Sequence, residues 1–479
     1  MNPAFRQPPA GPPRPVRLLA LLVAAAVLAG CASLSPDGGT AEVQSLVEGN
    51  PLTGQVRLAD PAAIDALLAQ PLELETAVRI ALANSPRLQD AMATLQLSDA
   101  ERVQAASLPN PVFAFGRLTE GSERELERAL RFSVLGLFTL PWQARWAGQR
   151  HEVAKLQAAQ RVLQLAADTR RAWVRAVAAQ QSAVYLRDAK EAAEAGAELA
   201  RRMAAAGNWS RLQQMREQLL LAEAAAQRAR AEQSAVAARE QLTRVLGLRG
   251  AQTAYTLPDR LPALPDEAPA LGDVQAHALR ERLDVRTAQA QRGATADALG
   301  LTRATRVVNA MELGMVRNTT FDNGPERGRS TQRGVELELP LPLFDWGQAR
   351  HARAEALYLQ SAARVREVGV LAASEAREAW EGWRTAHALA RRYRDEVVPL
   401  RREVNEEMLL RYNGMLSSVW DLLAETRATM QAVSASIEAQ RDFWLADTDL
   451  QLALTGSSPG GMTLLQASAS TADAGTGGH

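Results

Sequence analysis

The side chains best suited to chemistry are few in this 479-residue chain, and their spacing limits what they can do. His151, His277, His351, His387 and His479 are scattered. There is no His-x3-His pair and no carboxylate at metal-ligand spacing, so the sequence assembles no resident metal site. No glycine loop is placed to cradle a phosphate, because the Gly-Ala-Thr-Ala run from Gly293 lies in helical text. Met203, Met215, Met408 and Met415 fall in two pairs. Thioethers suit Cu(I), but at helical spacing methionine reads as gap-filling core. No nucleophile, base or paired-acid constellation remains, which argues against an enzyme and against a bound cofactor. The 54 basic and 54 acidic residues cancel, so no field gathers nucleic acid.

Cys31 is the one cysteine, which rules out an internal disulfide or a cysteine metal cluster. Arg6, Arg14 and Arg17 precede an apolar run from Leu18 to Leu28. A run of about a dozen residues is typical of a signal-peptide core and short for a membrane span. It closes on Leu-Ala-Gly-Cys, which resembles a bacterial lipoprotein cleavage box. That resemblance implies removal of residues 1–30 and acylation of Cys31 on its sulfur and new amino group, palmitate-like chains serving as the anchor. Ala32 follows, with no Asp to hold the product at the inner membrane, so the outer membrane is the expected address.

These residues need elements to carry them. Aromatics make up only 5% of the chain, and long Ala/Leu/Gln/Glu/Arg runs predict long helices packed side by side rather than a compact core. An internal repeat sets the plan. Arg170–Asp188 aligns with Arg377–Asp395, so Trp173 falls on Trp380 (380 − 173 = 207). Gly207 and Ser210 fall on Gly414 and Ser417 at the same offset. Gln143 falls on Gln348 (348 − 143 = 205) and Ala81 on Ala278 (278 − 81 = 197). The second half therefore gains length in its hairpin region.

Each half reads helix, strand, strand, long helix, helix. The first half is expected to have a helix at 74–107, strands at 111–118 and 129–138, and helices at 143–205 and 209–247. The second is expected to have a helix at 272–304, strands at 306–317 and 333–341, and helices at 347–411 and 416–453. As domains this gives an arm over 31–71, repeats over 72–256 and 271–455, a Pro-rich link over 257–270 and a disordered tail over 456–479. Pro399 interrupts its helix because it lacks an amide proton, and its counterpart is Ala192, so the halves should differ there. A helix of about sixty residues rises roughly 90 Å and needs neighbours along its whole extent.

The strand text has a length that can cross a bilayer when tilted. Val112, Ala114 and Gly116 alternate with Phe113 and Phe115. Glu336 and Glu338 alternate with Val335, Leu337 and Leu339, the acids suiting a watery lumen and the apolar set suiting lipid. Four strands cannot close a barrel, and open edges cannot sit in hydrocarbon. Three copies would give twelve strands.

Four stretches together carry a family resemblance over nearly the whole mature chain. They are Leu72–Leu88 at the first helix, Ser107–Gly116 at the first strand, Leu339–Ala356 at the last strand-to-helix passage, and the two turns at Gly207 and Gly414. The sequence resembles the TolC-type outer-membrane efflux factors, in their lipoprotein branch. Arg411–Met415 is similar to members associated with metal or copper tolerance. The resemblance implies a mainly helical fold with a small transmembrane β part. Long antiparallel helical hairpins would form a trimeric α-barrel tunnel, continued by a twelve-stranded β-barrel. It implies a passive exit duct for metal ions or drugs, docked by its tips to a periplasmic adaptor and an inner-membrane pump of the RND type. A lipid-anchored helical-hairpin adaptor without a pore is the alternative.

The resemblance also assigns residues. Gly207 and Gly414 should form the tip turns that dock the adaptor, with Ser210 and Ser417 capping the next helices. A ring of acids near the tip should constrict the pore. Asp421 is the nearest acid here, although the aligned position is Trp420, and Glu425 lies on the same helical face. Three copies of such an acid would repel each other and attract cations; pairing of Asp421 with Arg427 or Arg411 is the plainer role. Pro340 and Pro342 should end the last strand. Asp345 should cap the new helix, Trp346 mark the water–lipid boundary and Gly347 allow a tight passage. Pro141 and Trp142 should repeat that junction in the first half.

Overall fold

The computed structural model describes residues 33–55, 64–121, 123–266, 272–307, 310–322 and 328–460. The expected signal peptide, Cys31, the end of the Pro-rich link and residues 461–479 of the expected tail lie outside these. Contacts divide the described chain into two compact units. The first takes from Met1–Gly38, Leu95–Glu152 and Ala290–Ser361, the second from Gly39–Thr94, Val153–Gln289 and Ala362–His479. Each unit draws on both repeats.

The elements in chain order are α1 (Thr40–Val47), α2 (Ile64–Leu68), α3 (Leu74–Asn84), α4 (Pro86–Ala105), β1 (Val112–Glu120), β2 (Glu123–Ser133), α5 (Val134–Ala205) and α6 (Arg211–Leu246). There follow α7 (Val274–Glu281), α8 (Leu283–Ala304), β3 (Glu312–Asp322), β4 (Gly328–Glu338), α9 (Gln348–Arg392), α10 (Val398–Asn413) and α11 (Val419–Thr455). The described residues are mainly helical with four strands, as expected.

The first unit holds one antiparallel sheet in the order β1-β2-β3-β4. β2 starts earlier than expected, at Glu123, and ends at Ser133. Val134–Phe138, expected as strand, is helix. Its continuous apolar text has no period to separate a buried strand from a helix, and local capping decides. The Gly136 amide donates to Ser133 Oγ at 3.2 Å, and the Val134 amide to Met311 O at 2.9 Å. α5 then runs for 72 residues with Pro141 inside it.

The second unit packs helices. Trp173 is buried and donates from Nε1 to Leu72 O at 2.6 Å. The single helices expected at 74–107 and 272–304 are each broken in two. Ser85 is extended ahead of Pro86, which opens α4. Arg282 breaks the second pair without a proline. It is buried, bonds Asp284 and Glu375 at 2.6 and 2.9 Å, and donates to Ala453 O at 3.4 Å.

The expected extended arm contains α1 and α2 instead. Val43, Val47 and Leu52 are all buried, so spaced apolar residues outweigh a composition rich in helix breakers. The Pro-rich link is docked rather than free. Leu257, Leu261 and Leu264 are buried, and Pro262 O accepts from Gln440 and Trp444. Gly456–Gly460, expected as disordered tail, is ordered: Ser458 Oγ donates to Glu375 at 2.6 Å.

Candidate membrane strands and helical tips

Antiparallel partners point to the same side of a sheet, and neighbours along a strand point to opposite sides. The register therefore sorts the strand residues onto two faces. One face carries Phe113, Phe115, Leu130, Phe132, Leu313, Met315, Val335 and Leu337, with arginines beyond them. The other carries small residues and acids, among them Ala114, Gly116, Glu125, Glu127, Glu336 and Glu338. The expected split of Glu336 and Glu338 from Val335 and Leu337 is present. Gly314 lets Arg131 cross to Glu336 at 3.4 Å, since a Cβ there would meet the Arg131 chain at 3.2 Å. Among the described residues β1 and β4 each lack one neighbour, and every residue of β4 is exposed.

The two strand-to-helix passages differ. Pro141 and Trp142 lie inside α5, after its first two turns, and mark no junction. In the second half β4 ends at Glu338, before Pro340, and α9 begins at Gln348. Asp345 accepts from the Gly347 amide at 2.7 Å, a turn just before the helix rather than a cap on its first-turn amides. Gly347 sits at φ 71°, and a Cβ there would meet Arg306 O at 2.6 Å, so only glycine fits this passage. The Trp346 carbonyl accepts from Arg306 Nε at 3.2 Å, and its indole is about half exposed.

At the first tip Gly207 has φ 77° and ends α5. The Asn208 amide reaches Met203 O and the Gly207 amide reaches Ala204 O, the paired bonds of a Schellman end. Ser210 caps α6 in a reciprocal box with Gln213. The second tip repeats these bonds from Leu416 to Arg411 and from Met415 to Tyr412. The left-handed residue is thus Met415, at φ 59°, while Gly414 has φ −82°. The cap is Ser418, boxed with Asp421, and not Ser417. Ser417 donates to Met408 Sδ at 3.1 Å and to Asp421 at 3.3 Å.

The structural offset at the tips is therefore 208 (415 − 207, and 418 − 210), against 207 in the long helices. The extra residue has a visible home. Tyr393–Val397 is a π-helical turn between α9 and α10, with the Val398 amide bonded to Tyr393 O. Such a turn absorbs one added residue within a helix. Pro399 opens α10 right after it, and no break occurs at Ala192.

Asp421 is exposed and held by its own turn. The Ser418 hydroxyl, then the Ser418 amide, keep its carboxyl below the usual range. Glu425 pairs with Arg401 at 2.8 Å. Arg411 pairs with Glu407, and Arg427 with Glu217, so neither arginine holds Asp421.

Glu217 is wholly buried, and sequence reading gave it no role. Trp420, at the position where an acid was expected, packs edge-on to Trp209 at 5.8 Å. Arg216 and Arg427 each lie 5.8 Å from its ring. These residues join α6 to α11 behind the turns. The repeat makes α6 and α11 equivalent but sets Glu217 against Glu425 (425 − 217 = 208), so it carries no signal of this acid–base pair.

Met415 and Leu416 are almost fully exposed and Met215 is half exposed, so these methionines are surface rather than core. Among the described residues no group of His, Cys, Asp and Glu is placed to hold a metal.

No protein-family model and no curated protein matches the sequence. Solved structures do. The Campylobacter jejuni CmeC outer membrane channel superposes with a TM-score of 0.68 at 13% identity, over 88% of this chain and 94% of that one. The outer-membrane channel OprN gives 0.67 at 20% identity, over 85% and 96%. The outer membrane protein VceC from Vibrio cholerae gives 0.66 at 16% identity, over 83% and 100%. The chain has the fold of TolC-type outer-membrane channels.

Proposed function

We propose that this chain is one subunit of an outer-membrane efflux channel, a passive exit duct within a tripartite exporter. The observation that carries the reading is the open four-stranded sheet, with apolar rows giving way to arginines on one face, small residues and acids on the other, and both edges unpaired among the described residues. Such edges cannot face hydrocarbon, because each unpaired backbone group costs several kcal/mol there. Three copies joined β4 to β1 give a closed twelve-stranded barrel with its acids inside. Exposed apolar residues along the helices, such as Val184, Val236, Leu359 and Val370, suit packing against neighbouring copies.

The adaptor would dock at Gly207, Ser210, Gly414 and Ser417, with Met415 and Leu416 as apolar contacts at the turn. Asp421 and Glu425 are the candidate constriction. Cargo is a metal ion or a drug moved by an inner-membrane pump of the RND type, and Cys31 carries the lipid anchor. The mass of the detergent-solubilised protein tests the closure that the reading requires. Three chains per particle are expected, and a monomer would contradict it.

A further inference from the structure

One face of the sheet contains more than apolar residues. It carries Arg117, Arg124, Arg128, Arg317, Arg329 and Arg333, and no carboxylate. The acids all point the other way, where Arg131 is the only base. None of the six arginines has a carboxylate partner among the described residues; Arg329 lies over the Phe321 ring at 5.4 Å. They are also ordered along the strands. Phe113, Leu130, Met315 and Val335 form one row across the sheet, near the helical ends. The next row is Phe115, Arg128, Arg317 and Arg333, and the remaining arginines lie nearer the hairpin turns.

We propose that this arginine belt binds the phosphates of anionic outer-leaflet lipid, whose acyl chains lie on the apolar rows below. The inference rests on the reading of these strands as a membrane barrel. A charge on the lipid side costs about 2–4 kcal/mol at the bilayer midplane and about 0–1 near the interface. Six arginines at the midplane are therefore excluded, and the headgroup level is the depth that suits them. Six like charges without counter-ions repel one another, so the face calls for an anionic partner. Guanidinium forks match phosphate oxygens in pairs. The ordered change from apolar rows to arginines fits an amphiphile better than a free anion, whose binding would not need the apolar rows. Across β1–β4 the charge is complementary to a lipid carrying several phosphates.

The test compares the full chain with Arg128→Gln/Arg317→Gln/Arg333→Gln. A second variant, Arg329→Gln/Arg333→Gln, changes only the wholly exposed strand β4. Arg131→Gln removes a base from the opposite face. Each purified oligomer is incubated with phosphatidylcholine vesicles, with or without diphosphoryl lipid A, and retained lipid is measured by native mass spectrometry. Retention of lipid A should fall at least about tenfold in both belt variants, equivalent to ~1.4 kcal/mol, and stay unchanged in Arg131→Gln. Inorganic phosphate should not displace it; displacement would make this a free-anion site and overturn the lipid assignment. Equal retention by all forms, or equal loss in Arg131→Gln, would also overturn it. Conductance in pure phosphatidylcholine separates the two readings. A wild type that conducts there without any lipid A preference sinks the belt alone, whereas one that never conducts sinks the barrel as well.

Discussion

Buried charges decide the sharpest effects at the level of single residues. Arg282 is held by two carboxylates and a carbonyl at the break between α7 and α8. Arg282→Met should cost about 1.5–3 kcal/mol, because the partly buried Asp284 and Glu375 lose their charged partner and keep only the Val285 amide and the Ser458 hydroxyl. Thermal unfolding in detergent would measure it, and a near-neutral result would show that the triad is solvated. Asp447 takes the Trp383 indole N–H at 3.0 Å. Burial raises its carboxyl above the usual range, against the pull of that bond and of Arg170. The folded chain thus holds the proton more tightly than the unfolded one. Stability from this group is highest below the unfolded pKa and declines as pH rises through the raised folded value. Asp447→Asn keeps an acceptor for Trp383 and should flatten that decline; an unchanged slope of melting temperature against pH would contradict it.

At the scale of elements, the two tip turns make a natural comparison. Gly207→Ala should cost about 1 kcal/mol, since alanine resists the left-handed region. Gly414→Ala should be close to neutral, because φ there is ordinary and a Cβ meets nothing nearer than 3.5 Å. Met415→Gly should stabilise the second tip by up to about 1 kcal/mol. Ser418→Ala should cost about 1 kcal/mol and Ser417→Ala much less. Melting temperatures of the five variants check this pattern, and the reverse order would mean that the turns are misplaced by one residue.

Sequence alignment misplaced Gly414 and Ser417 by that one residue, for a physical reason. The repeat was visible in Trp173 and Trp380, but the π turn at Tyr393–Val397 has no signature in side-chain pattern. Strand limits moved for a similar reason. Glu123–Arg128 and Gly328–Gln332 are almost wholly polar and read as loop, yet backbone pairing with β3 extends the sheet through them.

At the scale of the whole molecule, the order of helices and strands was legible because long runs without Pro or Gly and a duplicated plan constrain it. The site was legible only in part. Gly207, Ser210 and Gly347 do as their residue types suggest. The Glu217–Arg427 pair spans 210 residues and needed the packed helices to be seen. The proposed closure of three open sheets, acids inward, makes a water-filled barrel, and electrical conductance is the most direct test of it. Purified protein added to a planar phosphatidylcholine bilayer should give discrete, cation-preferring steps, with larger steps for Asp421→Ala/Glu425→Ala if these acids narrow the duct. A folded trimer that inserts and carries no current would contradict the account.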